Sequence, residues 1–287
     1  MRATAWIIAF LLLGLTVDLL AQARGRVPPN RRDPVLLSEA EGERMLADFR
    51  AATLPGVYAM RFSLTRRTDS GLDAETSGVL WGHMPPEGAA WRIVVNDGFD
   101  ASHWLMRGGD TAGIWRWESE LPDEAASVGW ADLTDPLAAE AELIPGWNVR
   151  AFDLQLPFIR WADTEYEGSL RVRGRPAHAF LFFPPEEDPR FAAITAIRVT
   201  LDEDFLALLE ADVINQDGAV ARTLKMASFK EIDDQWLVTR IDILDRLAGE
   251  RIRWRLEAVD LAARLPETGF APARAVPERP AATWREL

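Results

Sequence analysis

The spacing of apolar residues predicts that residues 196–261 form an antiparallel sheet. Four runs in this region place an apolar side chain at every second position, and turns rich in Asn, Asp and Gly separate them. In the sharpest run, Ile252, Trp254 and Leu256 alternate with arginines. A period of two puts alternate side chains on opposite faces of a strand, and Asp217-Gly218 in the first turn suits a tight hairpin. The pattern therefore indicates a meander with one apolar and one polar face.

The first half of the chain shows the same period of two, and its runs are rich in tryptophan. After a glycine at position 56, the side chains of Tyr58, Met60 and Phe62 stand at alternate positions. The runs that follow contain Trp81, Trp91, Trp104 and Trp115. Because consecutive strands of a meander lie side by side, we expect these rings to form an aromatic row across one face of the sheet.

Two helical segments are predicted, one before the first strand and one between later strands. Ser38 and Glu41 have the spacing of a capping box, and the apolar positions that follow predict an amphipathic helix of about 15 residues. This helix should end before the Leu-Pro-Gly sequence at 54–56. Residues 153–161 also show helical spacing, but Pro157 limits that helix to a couple of turns.

The two ends of the chain differ in composition from its middle. Residues 1–23 have a basic start, an apolar stretch and an Ala-Gln-Ala sequence, which predict a secretory signal peptide cleaved near Ala23. An uncleaved N-terminal anchor helix is the alternative that the length of the apolar run permits. We expect a polar linker at 24–35, a single domain at 36–261 with a long connection at 118–148, and a Pro/Ala-rich tail at 262–287.

Charge and cysteine content narrow the possible partners. The 287 residues include 45 acidic and 32 basic side chains, and the formal net charge is −13. Such a surface repels nucleic acid and anionic lipid, so we expect no nucleic-acid partner and only transient contact with a membrane. The chain has no cysteine, which excludes disulfides, thiol catalysis and lipid attachment through cysteine. Together with the signal peptide, these features predict a soluble protein of the periplasm.

The sequence gives little indication of catalytic or metal chemistry. His83, His103 and His178 are far apart, and each lies beside apolar residues in a strand-like run, as structural histidines do. The acidic clusters at 202–204 and 233–234 fall where hairpins turn, which favours solvated turn residues over paired catalytic carboxylates. We therefore predict no catalytic residue, no metal site and no cofactor.

Several short segments carry a resemblance to a known family. They are the sequence Ile-Arg-Val-Thr-Leu-Asp at 197–202, the glycine turn and strand at 218–224, and the turn Ile-Asp-Asp-Gln-Trp at 232–236. With the N-terminal helix and the tryptophan-rich strands, this succession resembles that of the outer-membrane lipoprotein-sorting proteins, relatives of the periplasmic carriers LolA and LolB. The resemblance extends over residues 36–270, most of the predicted mature chain.

The resemblance implies a mainly β fold of the α+β class. A curved antiparallel sheet would form an incomplete β-barrel, and helices would close its open side over an apolar cavity. Relatives of this kind hold the acyl chains of lipoproteins or other lipids without chemistry on them, so the protein is expected not to be an enzyme. The implied partners are an inner-membrane complex that delivers the cargo and an outer-membrane acceptor, with the carrier itself a monomer.

The large side chains of the alternating runs are the candidates to line such a cavity, because interior aromatic rows can line ligand sites in barrels. The predicted lining residues are Tyr58, Met60, Phe62, Trp81, Trp91, Trp104, Trp115, Phe158 and Trp254. The helical segments at 37–49 and 154–161 are the candidate lids. Packing of the same rings against the helices as an ordinary core is the alternative.

Two other functions stay open on the sequence alone. The first is a binding or scaffold protein of the cell envelope, built on a solid β structure with no ligand cavity. The second is a hydrolase that acts on envelope polymers with an Asp/Glu pair as acid and base. That chemistry requires two carboxylates that face each other in a cleft, roughly 5–9.5 Å apart.

Overall fold

The structure is a computed structural model that describes residues 35–52, 54, 56–68, 71, 73–83, 89–95, 101–108, 113–118, 129–134, 142–144, 146–272 and 282–287. The predicted signal peptide, nearly all of the predicted linker and a hairpin turn expected at 96–98 lie outside these residues. Parts of the predicted connection at 118–148 and of the predicted C-terminal tail lie outside them as well.

Within the described residues the chain forms one antiparallel sheet of 14 strands. The first six strands are β1 (Val57–Thr68), β2 (Asp73–His83), β3 (Ala90–Val95), β4 (Ser102–Arg107), β5 (Gly113–Glu118) and β6 (Gly129–Asp132). The others are β7 (Thr164–Val172), β8 (Arg175–Phe182), β9 (Ile194–Asp202), β10 (Leu208–Asn215), β11 (Val220–Ile232), β12 (Gln235–Asp245), β13 (Glu250–Asp260) and β14 (Arg285–Glu286). The predicted fold class, a curved and unclosed antiparallel sheet with few helices, is confirmed.

The strand order is β6-β5-β4-β3-β2-β1-β13-β12-β11-β10-β9-β8-β7, so two halves of the sheet meet where β1 pairs with β13. Within each half, neighbouring strands are also consecutive in sequence, as hairpin connections produce. The antiparallel meander predicted at 196–261 is confirmed, with five strands, β9 to β13, in place of the four predicted runs. The turn between β10 and β11 contains Gly218 at a φ of 75°, a backbone conformation that glycine adopts readily.

Helix α1 (Glu39–Ala51) begins at the predicted capping box. The backbone N–H of Ser38 donates a hydrogen bond of 2.8 Å to the carboxylate of Glu41, which closes one half of the box. The buried side of the helix carries Met45, Leu46 and Phe49. These side chains fix the orientation of α1, with its apolar side against the sheet and its charged side towards solvent.

The second helical segment consists of α2 (Ala151–Gln155) and a 3-10 helix (Pro157–Arg160). Leu156, between the two, has a φ of 40°, and Pro157 opens the 3-10 helix. The predicted limit of a couple of turns is therefore confirmed. Two further 3-10 helices lie at Pro189–Phe191 and Glu267–Phe270. No helix in the described part of the chain has the length and apolar character needed to cross a bilayer.

The two faces of the sheet have different covers. One face, called the inner face here, lies under α1 and residues 143–161, and its side chains form the large core cluster together with theirs. On the opposite, outer face, Ala263, Leu265 and Phe270 pack against Trp81 and Val94. β14 then pairs with the last residues of β13, beyond the point where β12 stops pairing. Part of the region predicted as a tail is thus integrated into the fold.

Candidate functional site

Seven of the nine predicted lining residues lie together in the core beneath the helices, six on the inner face and Phe158 on the 3-10 helix that covers it. Each has at most 3% of its surface exposed, and all belong to the large core cluster. These residues are Tyr58, Met60, Phe62, Trp91, Trp104, Phe158 and Trp254. Rings from neighbouring strands touch directly, since Phe62 and Trp254 stack with centroids 3.8 Å apart and planes inclined by 24°. That these residues line a ligand cavity stays a prediction.

Trp81 and Trp115 lie on the outer face, which corrects the prediction that they share the aromatic row. Residues directly opposite each other on neighbouring strands share a face. The register pairs Trp81 with Arg92, Arg92 with Leu105, and Leu105 with Trp115. A period of two shows which residues of one strand share a face, but it does not relate that face to the face of the next strand.

Two glycines of β2 leave room for rings on the inner face. Gly78 lies opposite Phe62, and Gly82 lies opposite Tyr58. A Cβ atom on either glycine would overlap the facing ring, and at Gly78 it would also overlap the carbonyl of Val94. The rings of β1 therefore lie directly over the backbone of β2. Burial raises the pKa of the Tyr58 hydroxyl, so this group stays neutral.

Helix α1 and the helical segment formed by α2 and the following 3-10 helix together cover the inner face and are called the inner cover here. Arg50, in the last turn of α1, links these two parts. Its Nε donates a hydrogen bond of 2.9 Å to the carbonyl of Ile159, and its Nη2 donates one of 2.9 Å to the carbonyl of Trp161. Carbonyls at the end of a helix lack partners within that helix and need hydrogen-bond donors of this kind. The guanidinium also lies 5.5 Å from the ring centroid of Phe182. Arg50 thus ties α1 to the 3-10 helix.

A buried ionic network anchors α2 to the sheet. Arg222, on β11, donates from Nε to Asp153 Oδ1 and from Nη1 to Asp245 Oδ2, with both distances 2.8 Å. The carbonyl of Asn148 accepts a further hydrogen bond from Nη2. Asp153 belongs to α2, whereas Asp245 ends β12. The guanidinium therefore connects the helical cover to two strands.

The network keeps its charges at neutral pH. Burial alone opposes the charge of Asp245, but the Ala248 N–H, the side chain of Asn148 and the charge of Arg222 hold the pKa of Asp245 below its ordinary value. Burial also opposes the charge of Arg222, whereas the two neighbouring carboxylates raise its pKa. An ionic group removed from water is tolerated only with such partners.

A third buried carboxylate, that of Asp202, contradicts its prediction as a solvated turn residue. Arg175 donates to its two oxygens at 2.6 and 3.2 Å. The backbone N–H groups of Asp204 and Phe205 donate to it at 3.0 Å each. Asp202 therefore fixes the β9–β10 turn from inside. This carboxylate, like those of Asp153 and Asp245, is engaged in holding the fold together.

A cavity of about 200 Å³ lies away from the aromatic row, at a corner of the sheet. The β7–β8 turn, the β9–β10 turn and the start of β12 meet there, beside a bulged part of β11. None of the nine predicted lining residues borders it. The sequence did not point to this cavity, because its walls come from turns that are far apart along the chain.

The roles of Arg50 and Arg222 were also not predicted from the sequence. Only Arg222 has a signal in the sequence that could have indicated its role. Arg222 stands in the otherwise apolar alternation of Val220, Leu224 and Met226. A charged residue in an apolar row predicts burial with a partner, because an unpaired charge is too costly inside a protein. Arg50 had no distinguishing signal, since basic side chains are common in the last turn of a helix.

Several solved structures share the fold of this chain. No protein-family model matches the chain, and no curated protein matches its sequence. A DUF1329 family protein from Desulfovibrio piger superposes with a TM-score of 0.68 and 13% identity, over 80% of this chain and 95% of that one. A putative outer membrane lipoprotein-sorting protein domain from Vibrio parahaemolyticus gives a TM-score of 0.64 and 12% identity, over 79% and 95%.

A LolA superfamily protein from Nitrosomonas europaea has a TM-score of 0.60 and 11% identity, over 80% of this chain and 96% of that one. Identities this low establish shared architecture and not shared activity. The resemblance seen in the sequence is confirmed at the level of the fold. The chain has a LolA-like fold, shared with outer-membrane lipoprotein-sorting domains.

Proposed function

We propose that this protein is a non-enzymatic periplasmic carrier, which binds acyl chains of lipoproteins or other lipids and takes them towards the outer membrane. The chains would bind between the inner face and its helical cover, against the seven predicted lining residues found there. One observation supports this most. The inner face is apolar across most of the sheet, yet short helical segments cover it where a second sheet would close a β-sandwich.

The two parts of the cover are held in different ways, which suggests which part moves. Residues of α2 are tied to the sheet by the ionic network around Arg222. Helix α1 is held by apolar contacts and by the two hydrogen bonds of Arg50. We assign α1 as the mobile lid and α2 as the fixed part of the cover.

Binding would exchange one set of apolar contacts for another. When α1 moves away, an acyl chain takes the place of Met45, Leu46 and Phe49 on the inner face. Burial of each methylene contributes about 0.8 kcal/mol, so a chain of roughly a dozen methylenes gains about 10 kcal/mol before the cost of displacing the helix. Return of α1 to its closed position competes with the cargo and assists release.

The net negative charge of the protein supports release of the carrier from a membrane surface. A net charge of −13 disfavours prolonged binding to anionic lipid, so a loaded carrier would leave the membrane surface readily. Cargo would come from an inner-membrane complex and pass to an outer-membrane acceptor, with transient membrane contact at each end. We propose that the carrier acts as a monomer after cleavage of its signal peptide.

Capture of lipid by variants on the two faces of the sheet tests the proposal. Trp104 lies on the inner face, and Trp115, on the neighbouring strand, lies on the outer face. Protein isolated from the periplasm should carry acyl lipid in the native sequence and in Trp115→Glu, and Trp104→Glu should lose it. Near-ultraviolet circular dichroism establishes that each variant is folded.

A carboxylate at the fully buried position 104 destabilises the fold, so a second variant is measured beside Trp104→Glu. Met45→Gln places an uncharged polar side chain on the buried side of α1, so it should destabilise the fold less than Trp104→Glu. Equal lipid capture by folded Trp104→Glu and Trp115→Glu proteins would contradict the carrier function. Absence of lipid from every sample, the native sequence included, would favour the scaffold function.

A further inference from the structure

The corner cavity has apolar walls and the size of a small ligand. Its volume of about 200 Å³ exceeds that of an engineered cavity of about 150 Å³ that binds benzene. It therefore has room for a group of about six to eight carbon atoms. The apolar walls are formed by Val172, Phe205, Leu209, Met226, Phe229 and Trp236.

Local irregularities of the sheet shape this cavity. The pairing of β11 with β12 shifts register on both sides of Ser228, and such bulges change the direction of neighbouring side chains. The rings of Phe205 and Trp236 have centroids 5.8 Å apart, and the guanidinium of Arg175 lies 4.8 Å from the centroid of Phe205. The aromatic wall is thus fixed by contacts with groups from separate elements.

The charged side chains around the cavity are mostly basic. Arg173, Arg175 and Lys225 border it, and Asp202 is the carboxylate among the bordering residues. Arg175 pairs with Asp202, and Lys225 lies 3.2 Å from the carboxylate of Glu210. Arg173 donates a hydrogen bond of 3.0 Å to the carbonyl of Ala227, a neutral group that does not compensate the positive charge of the guanidinium.

The position of Arg173 is set by the backbone. Arg173 and Gly174 have φ values of 51° and 83°, and positive φ at both central positions is the signature of a type I′ hairpin turn. A non-glycine residue in this conformation is uncommon. The turn and the hydrogen bond to Ala227 hold the exposed guanidinium beside the apolar cavity.

We propose that the corner cavity binds a small anionic amphiphile, namely an acyl carboxylate of about six to eight carbons. The chain enters the apolar cavity, and the carboxylate lies against Arg173, with Lys225 as a second cation. Guanidinium and carboxylate form strong charge-assisted hydrogen bonds. Arg173, Arg175 and Lys225 stand against the carboxylates of Asp202 and Glu210, so these groups carry one excess positive charge in a protein whose net charge is −13. A local positive charge beside an apolar opening matches an anionic ligand. This site goes beyond the carrier function and does not depend on it.

Titration with butyrate, hexanoate and octanoate tests this inference in the purified protein. Binding is followed by two-dimensional NMR through the indole N–H signal of Trp236, which is identified by its loss in Trp236→Phe. Affinity should rise about fourfold for each added methylene while the chain fits the cavity. Octanol, which has the chain without the charge, should bind several-fold more weakly than octanoate.

Two variants locate the site, and one matched variant controls for charge. Arg173→Gln should weaken octanoate binding about two- to fivefold, as expected for an exposed ion pair. Ala207→Phe, which fills the cavity from its wall, should reduce binding at least tenfold. Arg246→Gln removes an exposed arginine from the β12–β13 turn, away from the cavity, and should leave binding unchanged.

Three results would overturn the proposal: no response of the Trp236 signal to octanoate, equal binding by Arg173→Gln and Arg246→Gln, or undiminished binding by a folded Ala207→Phe protein. Thermal unfolding of each variant provides the check of folding. Arg173 is exposed, so Arg173→Gln should fold. The comparison of Arg173→Gln with Arg246→Gln therefore tests the proposal even if Ala207→Phe does not fold. Lipid capture at the inner face is measured separately, so the two functions can fail independently.

Discussion

Asp153, on the short helix α2, accepts hydrogen bonds on both carboxylate oxygens from the buried guanidinium of Arg222 on β11. The two residues are 69 positions apart, and their side chains are 0% and 4% exposed. A pair buried to this degree is strongly destabilising when one partner is removed, because the other charge stays in the interior. Its effect is to hold α2 against the sheet.

Replacement of Arg222 by Met tests this anchoring role. The variant leaves Asp153 and Asp245 buried without their shared cation, so the free energy of unfolding should fall by about 3–5 kcal/mol. Equilibrium unfolding in urea measures the change. Arg198→Met is the matched control, because Arg198 pairs with Glu167 at 2.6 Å on the solvent side of the sheet. Its loss should cost about 1 kcal/mol or less, and equal losses in the two variants would contradict the role assigned to Arg222.

Replacement of Arg50 by Met should loosen α1 without unfolding the sheet. Hydrogen bonds from a charged donor contribute about 1.5–3 kcal/mol, so amide protons of α1 should exchange roughly ten- to a hundredfold faster. Hydrogen exchange followed by mass spectrometry resolves this helix from the strands.

The same helix provides the control for Arg50. Arg44 is exposed and donates to the carbonyl of Ala40 within α1, so Arg44→Met should change exchange little. Unaltered protection of α1 in Arg50→Met would show that apolar packing alone holds the lid.

His178 should make the fold more stable at neutral than at mildly acidic pH. Burial lowers its pKa below the ordinary value of 6.5, although Glu203 partly opposes the effect. The unfolded chain therefore binds a proton that the folded chain resists, and stability present above pH 6.5 is lost as the pH falls towards the lower folded pKa. Urea unfolding between pH 7.5 and 5 measures the slope.

His178→Gln should reduce that slope and keep a polar partner for the hydroxyl of Tyr166, which lies 3.0 Å from His178 Nδ1. His83→Gln is the control, since His83 lies at the end of β2 and away from this hydroxyl. If the slope in His178→Gln is as steep as in the native sequence and in His83→Gln, the assignment to His178 is wrong.

Alanine substitutions at two glycines should have opposite effects. At Gly82 a Cβ atom would overlap the buried ring of Tyr58, so Gly82→Ala should destabilise the fold by about 1–3 kcal/mol. At Gly42, within α1, the nearest atom is an ordinary contact at 3.5 Å, on the ring of Phe180. Gly42→Ala should therefore stabilise by up to about 1 kcal/mol through helix propensity. Thermal denaturation compares the two, and a Gly82→Ala protein as stable as the native sequence would contradict the packing described for β2.

Local patterns in the sequence predicted the elements well and their assembly less well. The capping box at Ser38, the short helix limited by Pro157 and the meander from β9 to β13 all follow from interactions between near neighbours in the chain. The faces of Trp81 and Trp115 do not, because the relation between strands depends on register and on turns.

The residues of the candidate sites show the same limit. The period of two correctly grouped Tyr58, Met60 and Phe62, which belong to one strand. Arg50 and Arg222 acquire their roles from partners 23 to 111 positions away. The corner cavity joins two turns and the start of β12, which come close together only after folding. Contacts of this range leave no periodic trace in a single sequence.

Native mass spectrometry of the protein purified from the periplasm tests the central claim most directly. The carrier function predicts a species heavier than the polypeptide by the mass of an acylated lipid or lipopeptide, at one cargo per monomer. Release of that mass should be slower from Arg50→Met than from the native sequence, because the variant weakens the closed position of α1, which competes with the cargo. A spectrum that contains only the bare polypeptide, under conditions that retain lipid in a known lipid-binding protein, would contradict the claim.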